Sequence, residues 1–333
     1  MPSEQQVRES LDTVMLPGVI RSLVAMNLVR EIEVSGKAVK ISLASAALDD
    51  TAQEWVKARA KSAVEKLDGV NNVNIEFVEA KPAELNQIKH VIAVMSGKGG
   101  VGKSLVSSLM AVALRRQDHE VGILDADITG SSIARMFGII ARPSGSESGI
   151  LPVVSRSGIE LMSMNLLLPN EESAVIWRGP LLSQAITQFW EDVLWGRLDY
   201  LIVDLPPGTA DAPLTVLQKV PVSGVVIVFT PQELTAMIVR KAVDMAKKMD
   251  KPVIGVVENM SYLYVAEIDR KIELFGRSKG EEMAQAVQAP LLASLPVDPE
   301  LAKMCDDGDI ERYDSDIMSS FAESLRRSVA PKV

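Results

Sequence analysis

Lys103 and Ser104 close a glycine-rich run, Gly97-Lys98-Gly99-Gly100-Val101-Gly102, and the GxxxxGKS spacing so formed is that of a phosphate-binding loop. Glycines at 97, 99, 100 and 102 let backbone N–H groups converge on phosphate oxygens without Cβ clashes. Lys103 is placed to reach the β- and γ-phosphates, and the Ser104 hydroxyl to ligate Mg²⁺. Asp204 follows the apolar run Tyr200-Leu201-Ile202-Val203 and supplies a carboxylate that holds the same ion through water. Gly208, in the turn after it, would let a backbone N–H approach the γ-phosphate and sense hydrolysis. Asp125 and Asp127 end another apolar run, with Asp125 read as structural or as part of the Mg²⁺ shell.

The elements around these residues are of the kind that would position them. Val91 to Met95 reads as a buried strand and Leu105 to Leu114 as a helix, whose dipole points its positive end at the glycine run. Val121 to Leu124, Tyr200 to Val203, Val225 to Phe229 and Val253 to Val257 read as further buried strands. In an open parallel sheet their carboxyl ends form one ligand-binding edge. Leu161 to Leu168 is also apolar, whereas Arg142 to Gly158, rich in Gly, Ser and Pro, is expected to loop out.

Ahead of this block, Ser3 to Leu16 has helical spacing, Leu28 to Val34 and Ala38 to Leu43 flank a Ser35-Gly36-Lys37 turn, Thr51 to Leu67 is a second helix and Val73 to Val78 a third strand. This αββαβ pattern predicts a small α+β domain over residues 1–80, a linker over 81–89 and a nucleotide-binding domain over 90–333. A length of 333 residues and a hydrophobic fraction of 47% suit two ordinary cores. The net charge of -9 argues against a nucleic-acid partner. Cys305 is the one cysteine, so no intrachain disulfide forms and a reducing cytoplasm is expected. The N-terminus lacks a signal-peptide pattern and no apolar run reaches membrane-span length, so no membrane partner is expected. His90 and His119 read as surface residues.

KGGVGKS with its early lysine resembles the deviant phosphate loop of the Mrp, MinD, ParA and nitrogenase iron-protein ATPases. Trp177-Arg178-Gly179-Pro180, the string DLPPGTAD from Asp204 to Asp211, Thr230-Pro231-Gln232 and Glu258-Asn259-Met260-Ser261 occur in the order typical of the Mrp family. The resemblance implies a doubly wound, mostly parallel α/β P-loop NTPase domain that hydrolyses ATP, slowly and as a homodimer. It implies that Lys98 reaches the partner's nucleotide, that Asp127 positions the attacking water, and that Asn259 contacts adenine with Pro296 closing over the adenine edge. Arg178 would pair at a dimer or switch surface. The leading domain resembles the small cluster-assembly domain often fused to Mrp-type ATPases, which implies iron-sulfur clients or assembly proteins as partners.

Four positions of the nucleotide-binding block depart from the family pattern. Val265 and Ile268 stand where Mrp-type carriers have the CxxC that ligates an iron-sulfur cluster, and neither side chain can bind iron. Leu105 stands where a threonine hydroxyl would meet the α-phosphate, a loss of about 1.5–3 kcal/mol if uncompensated. Ile238 replaces an acidic residue near the start of its helix. Three readings follow: an ATPase serving cluster assembly, a nucleotide-switched regulator that has lost the cluster, or a MinD- or ParA-like positioning ATPase.

Overall fold

The computed structural model describes residues 2–127, 130–167, 179–208, 211–232 and 235–329. In chain order they form α1 (Glu4–Leu11), β1 (Val29–Ser35), β2 (Ala38–Ala44), α2 (Asp50–Val64), β3 (Asn72–Val78), α3 (Pro82–Leu85) and β4 (Gln87–Ser96). Then come α4 (Lys103–Arg115), β5 (Val121–Asp125), α5 (Ile133–Met136), β6 (Ser144–Ser146), β7 (Gly149–Leu151), β8 (Val153–Val154) and β9 (Glu160–Ser163). After a 3-10 turn over Met164–Leu167 follow α6 (Gly179–Asp192), β10 (Arg197–Asp204), α7 (Asp211–Lys219), β11 (Gly224–Phe229), α8 (Thr235–Lys248) and β12 (Val253–Glu258). The chain closes with β13 (Leu263–Val265), β14 (Arg270–Ile272), α9 (Gly280–Val287), β15 (Leu291–Ser294), α10 (Pro299–Asp307) and α11 (Asp316–Val329). No helix among the described residues is long and apolar enough to cross a membrane.

Two compact units result. The first joins Met1–Ile88 to Arg142–Val154 and Gln188–Leu198. Its α1 starts in a capping box, where Ser3 and Gln6 each accept the other's backbone N–H. Strands β1 and β2 form an antiparallel hairpin, and β3 returns parallel to β2, with Ile41 opposite Ile75. Such a return requires a crossover, which α2 provides. Val7, Leu11, Ile41, Leu43, Val56, Ala60 and Val64 pack between helices and sheet, and Leu151 and Leu194 belong to the same core.

Two expectations change in this unit. The stretch 142–158 does not simply loop out: β6 and β7 pair, and Leu151 and Val153 are buried. Apolar residues among its glycines and serines gain more from burial than the loop composition suggests. The stretch 81–89, read as a linker, holds α3 and the start of β4. There Leu85 is buried, and the Asn86 side chain accepts from Trp195 and Gly196 N–H and donates to the Val193 carbonyl.

The second unit comprises Lys89–Ala141, Ser155–Thr187 and Asp199–Val333. Its sheet runs in the order β15-β12-β11-β4-β10-β5-β9. The pairs β10–β5, β5–β9, β11–β4, β11–β12 and β12–β15 are all parallel. Every residue of β5 and β11 is buried, the continuous apolar pattern of strands covered on both faces. The register aligns Asp204 of β10 with Asp125 of β5, and Asp125 with Ser163 of β9. A row of polar side chains is thereby delivered to the carboxyl edge of an otherwise apolar sheet. His90 and His119 are half-buried rather than superficial, their rings 5.2 and 5.1 Å from that of Tyr200.

Candidate functional site

Strand β4 ends at Ser96 and helix α4 begins at Lys103, so the glycine run spans the gap between them. Gly102, the N-cap of α4, has φ +77°, which L side chains rarely adopt. A Cβ at 102 would also lie 2.2 Å from the Asn259 side-chain nitrogen. By contrast, Cβ positions built at Gly99 and Gly100 meet nothing within 4 Å, so the loop backbone faces open space.

That space is a cleft of about 280 Å³, lined by Lys98 through Leu105 together with Asp127 and Gly130. The predicted loop residues Lys98, Gly99, Gly100, Val101, Gly102, Lys103, Ser104 and Leu105 all line it. Gly97, Gly208, Asn259 and Pro296 do not.

Beneath the cleft the charges converge on Asp204, which is fully buried. Its Oδ2 accepts from Lys103 Nζ and from Ser104 Oγ, both at 2.6 Å, and its Oδ1 accepts from Ser107 Oγ at 2.6 Å. Lys103 also lies 3.7 Å from Asp127 Oδ2. Asp125, next to Asp204 across the sheet, accepts from the Asp127 backbone N–H and from the Ser131 and Ser163 hydroxyls. Burial first, and the neighbouring Asp204 charge second, push the Asp125 carboxyl up to about 7.

The donor set fits Mg²⁺: a hydroxyl and a carboxylate are hard oxygen ligands, and Mg²⁺ in nucleotide sites completes its shell with phosphate oxygens and water. For that reason the site needs no protein-only cage, and no group of three or more His, Cys, Asp or Glu side chains suited to a metal occurs among the described residues.

Other predicted residues are placed as follows. Lys98 donates to the neutral amide of Gln232 at 2.6 Å. Gly208 has φ +92°, but its N–H, expected to approach phosphate, donates to the Ser96 carbonyl at 3.0 Å. Asn259 is buried, and its side-chain NH₂ donates to the Val101 carbonyl at 2.9 Å, so its amide holds the phosphate loop. Pro296 is half-buried just beyond β15, away from the cleft wall. Val265 ends β13 and Ile268 is 55% exposed. Cys305 sits half-buried on α10, where burial and then Asp306 push its thiol up to about 11. Arg178, Thr209, Ala210 and Glu233 lie outside the described residues, as do the side chains of Asp211 and Ile238.

Motif spacing does not point to Ser107, Ser131 or Ser163. Ser107 carries a signal of another kind: it lies one turn after Lys103 in a helix otherwise rich in apolar residues, where a buried hydroxyl needs a partner.

Comparison with known proteins agrees with this geometry. A family model described as the NUBPL iron-transfer P-loop NTPase matches residues 87–330, and an iron-sulfur cluster assembly protein model matches residues 4–77. An iron-sulfur cluster carrier protein of Deinococcus radiodurans is 41% identical over 307 residues, covering 90% of this chain and 86% of its own. A solved nucleotide-binding protein of Archaeoglobus fulgidus in complex with ADP is 44% identical, with a TM-score of 0.62 over 69% of this chain and 90% of that one. The cell division ATPase MinD of Pyrococcus furiosus, 21% identical, covers 72% of this chain and 99% of its own with a TM-score of 0.52, a likeness of fold alone. With the loop, its buried lysine–aspartate pair and the parallel sheet in place, the chain belongs to the Mrp-like iron-transfer family of P-loop NTPases.

Proposed function

We propose that the chain binds and hydrolyses MgATP as a homodimer and uses that cycle in iron-sulfur cluster assembly. The observation that carries this reading is the convergence of Lys103, Ser104 and Asp204 at the sheet edge beside an open glycine loop. Ser104 and Asp204 would hold Mg²⁺, whose charge would offset that of the phosphates. Lys103 exchanges its contact with Asp204 for phosphate oxygens, which leaves the carboxylate and the Ser104 hydroxyl to hold the ion. Asp127, at the cleft wall, accepts a hydrogen bond from the attacking water and orients it. Lys98 is held by a neutral amide, not a buried carboxylate, and is available to a second copy's nucleotide.

Asn259 and Pro296 belong to the adenine side of the same reading, and Asn259 additionally braces Val101. Because the chain has one cysteine and carries Val265 and Ile268 at the CxxC positions, the thiolates for a cluster come from a client or assembly partner. The cluster is thus cargo in a larger complex, with this chain contributing the nucleotide cycle.

The test is transfer of a [4Fe–4S] cluster from a loaded scaffold protein to an apo-acceptor enzyme, with and without this chain and ATP. Acceleration that needs both, and that disappears in Lys103→Ala, is expected. ATP turnover without any acceleration would reject the assembly role while leaving the ATPase intact. Lys98→Ala is expected to retain nucleotide and lose turnover.

A further inference from the structure

The α+β unit carries a surface feature that the nucleotide site does not use. Trp55 on α2 is 39% exposed and stands as a ridge between two grooves. One, of about 380 Å³, has an apolar wall of Pro17, Ala47, Ala52 and Leu151. The other, of about 310 Å³, is walled by Met15, Arg59 and Lys66. Helical spacing sets residues 55, 59, 62 and 66 along one face of the helix and its continuation, which accounts for the ridge and the two cations lying in line.

Charge distinguishes the second groove. The chain has a net charge of -9, yet no acidic side chain lines this groove. No ion pair joins Arg59 or Lys66 to a carboxylate among the described residues; Arg59 lies instead over the Trp55 ring, 5.4 Å from its centroid. Asp49, in the first groove, is committed to capping α2 through the Ala52 N–H. Met15 and Ile20, 51% and 74% exposed, add apolar surface on the adjoining loop. Two cations beside an aromatic and an apolar slot are too few to gather a nucleic-acid backbone or an anionic bilayer, both of which need a run of basic residues. They match a short peptide that presents one apolar side chain and neighbouring carboxylates.

We propose that Trp55 and its two grooves form a docking site for an acidic peptide segment of a partner protein. An apolar side chain fills the slot at Ala47 and Leu151, the peptide backbone crosses the indole, and carboxylates pair with Arg59 and Lys66. This recognition goes beyond the nucleotide reading and does not depend on it.

The test uses the full chain and a fluorescein-labelled decapeptide bearing one leucine followed by three glutamates, read by anisotropy. Saturable binding is expected, weakened at least about tenfold by Trp55→Ala and by the Arg59→Glu/Lys66→Glu double variant. ATP turnover should be unchanged in both variants. The double variant, altered only at surface cations, keeps the test decisive if Trp55→Ala folds poorly. A matching peptide with lysines for glutamates should bind the double variant and not the wild type. No saturable binding to the wild type, equal binding to the double variant, or equal binding of the lysine peptide or a DNA oligomer would overturn the proposal, as would self-association that accounts for the signal.

Discussion

Asp204 is where the charges of the candidate phosphate site meet, and it accepts from three donors. Lys103, Ser104 and Ser107 together compensate a carboxylate whose burial alone would cost several kcal/mol. In the proposed cycle phosphate would take over Lys103 while Asp204 and Ser104 would hold Mg²⁺, so both buried charges would keep partners. Cys305 is a residue of the opposite kind. Its thiol is raised to about 11, so the reactive thiolate is scarce below that pH and grows as pH rises. Its alkylation by iodoacetamide at pH 8 should be at least tenfold slower than that of glutathione, with the rate still climbing through pH 10. A plateau by pH 9 would contradict the burial argument. At this scale Lys103, Ser104 and Asp204 are legible because motif spacing encodes them. Ser131 and Ser163 are not, because single serines acquire meaning only when the fold sets them beside Asp125, Ser163 through strand register and Ser131 from the loop before α5. The tie from Asn259 to Val101 is hidden for the same reason: it joins residues that only the sheet brings together.

Among the elements, those with long periodic patterns are legible with little error: the spacing predicts α2 over residues 51–67 and the helix spans Asp50–Val64, while the phosphate-loop helix and its strand fall where the glycines require. The segment from Arg142 to Gly158 misleads because glycine, serine and proline outnumber its apolar residues, while burial is decided by the few. Leu151 is 3% exposed in the core of the α+β unit, although it lies far along the chain from most of that core. Leu151→Ala should therefore destabilise that unit by about 2–5 kcal/mol, the range for a large-to-small change in a packed core. Urea unfolding followed by far-UV circular dichroism checks this, and a loss under about 0.5 kcal/mol, the level of an ordinary surface substitution, would mean the leucine is not a core residue. The same change opens the apolar slot beside Trp55, so peptide binding should weaken in parallel.

For the molecule as a whole, family membership and fold are legible because motifs recur in order over most of the chain. What the chain does with its nucleotide is less so, because Val265 and Ile268 stand where the family resemblance places cluster-binding cysteines. The two compact units divide the labour: the parallel sheet carries the proposed nucleotide cycle, and the α+β unit offers the proposed surface for a protein partner. The nucleotide cycle presupposes that the glycine loop binds nucleotide. Calorimetric titration of MgADP into the purified chain tests that claim most directly. One site per chain is expected for the wild type, with affinity lowered at least a hundredfold in a folded Lys103→Ala variant. Equal affinity in the variant, or no heat of binding in the wild type, would contradict it.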